Sequence, residues 1–200
     1  WGTPNGHKIS IALEEMGLEY QVFPINILEN DQFQPDFLRI SPNNKIPAIV
    51  DQDGPKGEAI SVFESGAILQ YLGRKTGQFY PSDEQSRVEV EQWLMWQMGG
   101  FGPMLGQNHH FSKFAPERIA YATERYVNET KRLYGVLDKQ LFGQNYVAGE
   151  YSIADMAIFP WILRYEWQQI DINDYPNVKA YMERIQARPA VQRALALQVN

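Results

Sequence analysis

The 200-residue sequence contains no cysteine. That excludes a disulfide framework, a thiolate metal site and a thiol nucleophile carried by the protein. Any sulfur chemistry must use a thiol that arrives with a ligand. Histidine is nearly as scarce, with only His7, His109 and His110. Adjacent histidines cannot share one helix face, and no acidic or cysteine partners surround this pair, so no metal site is expected. Positive charge is also short: 18 Lys and Arg against 24 Asp and Glu leave a formal charge of −6. Such a chain matches a phosphate polyanion poorly, so no nucleic-acid partner is expected. No apolar run approaches the roughly 18 residues of a membrane span, so no membrane partner is expected either.

Apolar residues make up 44% of the chain, aromatics 13% and charged residues 21%, which excludes general disorder. The length suffices for one large domain or two small ones. Over the first eighty residues the pattern changes often. Ile9, Ala12, Leu13 and Met16 have helical spacing, and Gly17 is a helix stop. Tyr20 to Pro24 reads as extended, and Pro35 to Ile40 as a helix. Ala48-Ile49-Val50 and Ala59 to Val62 read as strands joined by the turn-rich Asp51 to Gly57. Ala67, Ile68, Tyr71 and Leu72 mark the next helix. Trp1 stands directly before the turn formers Gly2 to Gly6, so a first strand whose beginning is missing is expected there.

After a linker from Gly77 to Asp83 the strand signal stops. Gln85 to Gly99 reads as a helix carrying Val88, Trp93, Trp96 and Met98. The Gly99-Gly100-Phe101-Gly102-Pro103 cluster should bend or end it. Further helices are expected over Pro116 to Leu141, Ser152 to Trp167, and Asn177 to Arg188, where Pro189 breaks the run. The division is a small α/β domain over residues 1–76, a linker over 77–84 and an all-helical domain over 85–200.

Several short segments carry chemistry, each with a plain structural alternative. Thr3-Pro4-Asn5-Gly6 is turn chemistry, or a donor pair at a helix start whose partial positive charge favours a thiolate. Pro47 in Lys45-Ile46-Pro47-Ala48 is a loop proline, or a turn that leaves the Ile46 backbone open to an added peptide strand. Ser65 in Phe63-Glu64-Ser65-Gly66-Ala67-Ile68 caps a helix, or offers its hydroxyl with the helix N–H groups to a carboxylate. Glu64 can then take the ammonium of the same ligand. Lys45 and Gln32 are unremarkable alone. Arg118, Arg125 and Arg132 recur every seven residues, with Glu129 four residues after Arg125 as an expected partner. Ser152-Ile153-Ala154-Asp155 reads as a structural capping box.

These four motifs, in this order over nearly the whole chain, resemble the cytosolic glutathione transferase family. The stretches Pro42 to Val50 and Gly102 to Phe111 are similar to its bacterial nu class of disulfide-bond oxidoreductases. The chain is also similar to the glutathione-binding domain of fungal nitrogen-regulatory prion proteins. The resemblance implies a thioredoxin-like α/β N-terminal domain joined to an all-α C-terminal domain, in a cytoplasmic homodimer using glutathione as co-substrate. It implies a cis Pro47, with the Ile46 backbone pairing the cysteinyl unit. Glu64 and Ser65 would hold the γ-glutamyl end, and Lys45 and Gln32 the glycyl carboxylate. Thr3 and Asn5 would be catalytic, next to the sulfur, and Arg125 would reach the ligand from the helical domain. His109, His110 and Phe111 are candidates for the second-substrate pocket.

The implied activity is reduction of a small disulfide by glutathione. Conjugation of an electrophile, reduction of an organic peroxide, and a low-turnover glutathione-binding regulatory module are the alternatives. Independent support for a dimer comes from the aromatics. One small helical domain would struggle to bury Trp93, Trp96, Trp161, Tyr126 and Tyr134 together, and an interface would take the surplus.

Overall fold

A computed structural model describes residues 2–197. They form two compact units, one of residues up to Gln78 together with Pro189 onward, the other Phe79–Arg188. In the first unit Pro4 presets the opening turn of α1 (Pro4–Glu15), and Thr3 Oγ1 accepts from Gly6 N at 3.1 Å. Helix α1 buries Ile9, Ile11, Ala12 and Met16, and with them Lys8. After α2 (Pro35–Ile40), strands β1 (Ala48–Asp51) and β2 (Ile60–Phe63) pair antiparallel, Ala48 opposite Phe63. Helix α3 (Ser65–Thr76) follows β2 directly and buries Ile68, Leu69 and Leu72. Ala67, expected on that face, is exposed, and the Tyr71 hydroxyl donates to Asp51 Oδ2 at 2.5 Å.

Three expectations change here. Tyr20 to Pro24 forms no strand: extended chain becomes a strand only by pairing, and the sheet of the described residues has two strands. Phe23 is 74% exposed. The strand expected at Trp1 falls outside the described residues. Pro189 does break a helix, but it also opens α9 (Pro189–Ala196), because proline is as apt at a helix start as at a stop. The sequence pattern assigns residues 85–200 to the helical domain; the packing of α9 on α1, with Arg193 Nε donating to Glu14 Oε2 at 2.8 Å, takes α9 into the first unit.

The second unit is helical. Asp83 caps α4 (Glu84–Trp96), which continues through a π turn over Gln97–Phe101 into α5 (Gly102–His109). The glycine cluster therefore does not end the helical run. Pro103 cannot donate to the preceding turn, and a widened π turn meets that loss where glycines leave room. A Cβ at Gly102 would lie 2.5 Å from Gln97 Nε2 and 3.2 Å from the Gln97 carbonyl oxygen, so a larger residue there would make Gln97 shift. A second π turn, His110–Phe114, delays α6 to Ala120–Gln140. Helix α6 therefore starts four residues after the expected Pro116.

Helix α7 (Ile153–Ile162) is buried on every side and stops five residues before Trp167. The Gln168 amide, on the following 3-10 turn, donates to the Trp161 carbonyl at 2.8 Å and so satisfies a group at that helix end. Helix α8 (Pro176–Gln186) buries Val178, Tyr181 and Ile185. Tyr134 and Trp161 lie in this unit's own core, so the supposed aromatic surplus shrinks to the half-buried Trp93, Trp96 and Tyr126.

The capping box at α7 is complete. Asp155, fully buried, accepts from Ser152 N at 2.8 Å, Ser152 Oγ at 3.2 Å, Val147 N at 3.0 Å and Tyr181 OH at 3.0 Å. Burial raises its carboxyl to about 6 in spite of those bonds. An orphaned buried donor costs about 1–3 kcal/mol, so Asp155→Ala should destabilise the protein by about 4 kcal/mol or more. Urea unfolding measures this, and a midpoint equal to the parent's would deny Asp155 that role.

Candidate functional site

The strand register builds the site. With Ala48 opposite Phe63, the residues just before β1 come level with those just after β2. Ile46 and Pro47 are thus brought beside Glu64 and Ser65. The Ile46–Pro47 peptide bond is cis. Among the described residues no backbone hydrogen bond uses the Ile46 N–H or carbonyl, which leaves both for an added peptide. Lys45 is exposed, and its carbonyl is held by Ser41 Oγ at 2.7 Å.

Glu64 is the residue before α3 and has φ 67°, a left-handed backbone rare for a side chain with a Cβ. Neither its side chain nor another caps the helix as N-cap. Ser65 is the first helical residue, not the cap, and is buried. The capping alternative for Ser65 therefore falls away. Its Oγ instead accepts from Lys8 Nζ, 3.3 Å away on α1. Lys8 is 1% exposed. Burial brings its ammonium down to about 7, against the opposing pull of the Glu64 carboxylate. The start of α3 thus combines helix amides, a hydroxyl and a buried cation, which suits a carboxylate.

Thr3 and Asn5 stand in the first turn of α1, both half-buried. Thr3 Oγ1 accepts from Gly6 N, and a hydroxyl that accepts can still donate its own proton. Gln32 lies on a short 3-10 turn, Asp31–Phe33. Its Nε2 donates to the Ile27 carbonyl at 3.4 Å, while its buried Oε1 has no hydrogen-bond partner among the described residues. No hydrogen bond of the described residues joins Gln32 to the Lys45–Pro47 or Glu64–Ser65 segments.

Arg125 belongs to the second unit, exposed on α6, in a groove of about 710 Å³ lined also by Met104, Tyr121, Tyr126, Glu129 and Arg132. Glu129 makes a two-bond pair with Arg132, both at 2.8 Å, rather than with Arg125. His109 is no pocket residue. It is buried, stacked on Trp161, with its Nε2 3.1 Å from Gln168 Nε2. Burial, then Arg164 and Lys113, lowers it to about 4. His110 is exposed.

A family model of the glutathione S-transferase N-terminal domain matches residues 1–74, and one of the C-terminal domain matches residues 101–189. The chain belongs to the glutathione S-transferase family. It is 55% identical over 197 residues to a protein of Escherichia coli named disulfide-bond oxidoreductase YfcG, covering 96% of this chain and 91% of that one. It superposes with TM-score 0.94 and 46% identity on a glutathione transferase of Burkholderia graminis solved with two glutathione molecules per subunit, covering 100% of this chain and 87% of that one. TM-score and identity are again 0.94 and 46% for a glutathione transferase of Pseudomonas putida with one glutathione disulfide per subunit, at 98% and 89% coverage. Among the described residues no helix is long and apolar enough to cross a membrane.

In this glutathione S-transferase the site residue that the sequence reading misses is Lys8. The signal was present: Lys8 stands three and four residues before Ile11 and Ala12, on the buried face of α1. A lysine whose folded value is lowered from 10.5 to about 7 binds its proton less readily in the folded chain. The unfolded chain then holds more protons between about pH 7 and 10.5, so stability rises with pH across that window. Replacing Lys8 by methionine should flatten this rise. Urea midpoints of both proteins from pH 7 to 10 test it, and parallel pH profiles would refute it.

Proposed function

We propose that this glutathione S-transferase is a glutathione-dependent disulfide-bond oxidoreductase. The observation that carries the reading is 55% identity, over nearly the whole length, to an oxidoreductase of that kind. Structural neighbours that hold two glutathiones, or one glutathione disulfide, in each subunit support it. With no cysteine in the protein, every sulfur comes from ligands. A glutathione thiolate attacks a substrate disulfide, forming a mixed disulfide and releasing one thiolate. A second glutathione thiolate attacks the mixed disulfide at the glutathione sulfur. Glutathione disulfide and the second substrate thiol leave, so two glutathiones are oxidised for each disulfide reduced.

In this reading Ile46 pairs with the cysteinyl backbone beside Pro47. Glu64 and Ser65 hold the γ-glutamyl end, and Lys45 with Gln32 the glycyl carboxylate. Thr3 and Asn5 donate toward the sulfur. Arg125 sits on the exposed face of α6; likeness to the family supports giving it a part in glutathione binding. The same thiolate would serve peroxides and small electrophiles as further second substrates. The protein would work in the cytoplasm as a homodimer, and on α4 the exposed Val88 and Met95, seven residues apart, support an interface there.

Reduction of a small mixed disulfide by glutathione, coupled to glutathione reductase, tests the activity. Turnover should depend on enzyme concentration, and a rate no greater than that of free glutathione would refute it. Loss of one hydrogen bond to a charged sulfur is worth about 1.5–3 kcal/mol, so Asn5→Ala should lower turnover about tenfold. Its affinity for glutathione should stay within about twofold of the parent's. Unchanged turnover with intact affinity would remove Asn5 from the reaction. Sedimentation at micromolar concentration should give a species of twice the 23.1 kDa chain mass. A single-chain species would end the dimer reading.

A further inference from the structure

Among the described residues one side-chain ammonium, that of Lys8, is buried beside the proposed γ-glutamyl site, and the scheme above does not use it. Lys8 is 1% exposed, and its Nζ lies 3.3 Å from Ser65 Oγ. An ammonium only donates, so in this pair Ser65 must accept. A serine oxygen that accepts from behind turns its own O–H toward another acceptor. A desolvated cation behind a helix start also adds to the attraction of the helix amides for an anion.

We propose that Lys8 is a positioning residue for the γ-glutamyl end of glutathione: by donating to Ser65 Oγ it turns the Ser65 hydroxyl proton toward the ligand's α-carboxylate and sets a buried positive charge behind it. The proposal rests on the glutathione reading above and names a residue that acts through Ser65 without touching the ligand. The lowered value of Lys8 fits, since burial outweighs the pull of the Glu64 carboxylate, and a carboxylate bound nearby would favour the charged form. On the other helix packed against α1, Arg193 of α9 is already paired with Glu14.

The test compares two ligands on the whole protein by calorimetry. One is S-methylglutathione, whose blocked sulfur removes thiol ionisation. The other is the same peptide with 4-aminobutyrate in place of the γ-glutamyl residue, which lacks only the α-carboxylate. Lys8→Met should weaken S-methylglutathione binding about tenfold, as expected for a charged hydrogen-bond partner, and leave the carboxylate-free ligand within about twofold. In a Ser65→Ala background the same lysine replacement should cost less than about threefold, because the two residues act as one unit. Equal weakening of both ligands would make Lys8 a packing residue and overturn the proposal, as would full additivity with Ser65→Ala. If Lys8→Met does not fold, Lys8→Gln carries the same comparison. It keeps a donor but loses the charge, and it should weaken only the carboxylate-bearing ligand, by about threefold or more; equal effects on both ligands overturn the proposal. A parent protein that binds neither ligand would instead refute the glutathione reading itself.

Discussion

The first N–H groups of any helix have no partner within the helix, and each must find one elsewhere. In this protein three helix starts are closed by a side chain. Thr3 takes the Gly6 amide at α1, Asp83 the Ser86 amide at α4, and Ser152 with Asp155 completes both halves of a capping box at α7. Helices α2, α3 and α6 have no such side-chain cap, and α3 differs from the other two in the backbone of its N-cap residue. The N-cap position is Glu64, whose side chain makes no capping bond and whose backbone sits at φ 67°. A left-handed, non-glycine residue costs on the order of 1–3 kcal/mol, and such strain persists only where the surroundings hold it. The pairing of β1 with β2 on one side and the buried turns of α3 on the other supply that hold.

The second unit uses the same constraint for stability. Helix α7 buries all of its residues, so its ends have little water to turn to. Asp155 therefore serves the helix start and also ties in Val147 and Tyr181. Gln168 serves the other end through the Trp161 carbonyl, and its Oε1 accepts from the buried Tyr134 hydroxyl at 2.7 Å. His109 belongs to this internal network, and burial, with Arg164 and Lys113, lowers it to about 4.

Much of this was legible in the sequence. Spacing found the helices, the capping box and the strand pair followed from short motifs, and the cis Pro47 followed from the family resemblance. What stayed hidden depended on tertiary partners. Lys8 looks solvated by residue type, and only the fold shows Ser65 beside it. Pro189 signals a stop and a start equally, and the packing of α9 on α1 decides between them. The glycine cluster after α4 reads as a break because local rules do not foresee the π turn over Gln97–Phe101 that carries the chain into α5. Glu129 stands at helical spacing from Arg125 and from Arg132, and the guanidinium three residues on takes it with two bonds.

A protein without cysteine that works by thiol exchange must tune a thiol it does not own. A free thiol titrates near 8.5, so only a few per cent is thiolate at neutral pH. The N-terminal charge of α1 contributes about 0.3–1 kcal/mol in ordinary settings, less than one pKa unit at 1.36 kcal/mol each. That alone does not suffice. In the proposed reading a hydrogen bond to the charged sulfur from Thr3 or Asn5 would add about 1.5–3 kcal/mol, one to two units more. The sum brings the thiol to roughly neutral pH, where thiolate is plentiful and still nucleophilic. A stronger device, such as a cation in direct contact with the sulfur, would push the value lower and blunt the attack. Lys8 donates to Ser65, at the start of α3, while in the proposed reading the start of α1 would offer the sulfur the Thr3 hydroxyl and the Asn5 amide. In that reading weak donors would meet the reacting atom and the buried charge would stand at the anchoring end, a division suited to thiol exchange near neutral pH.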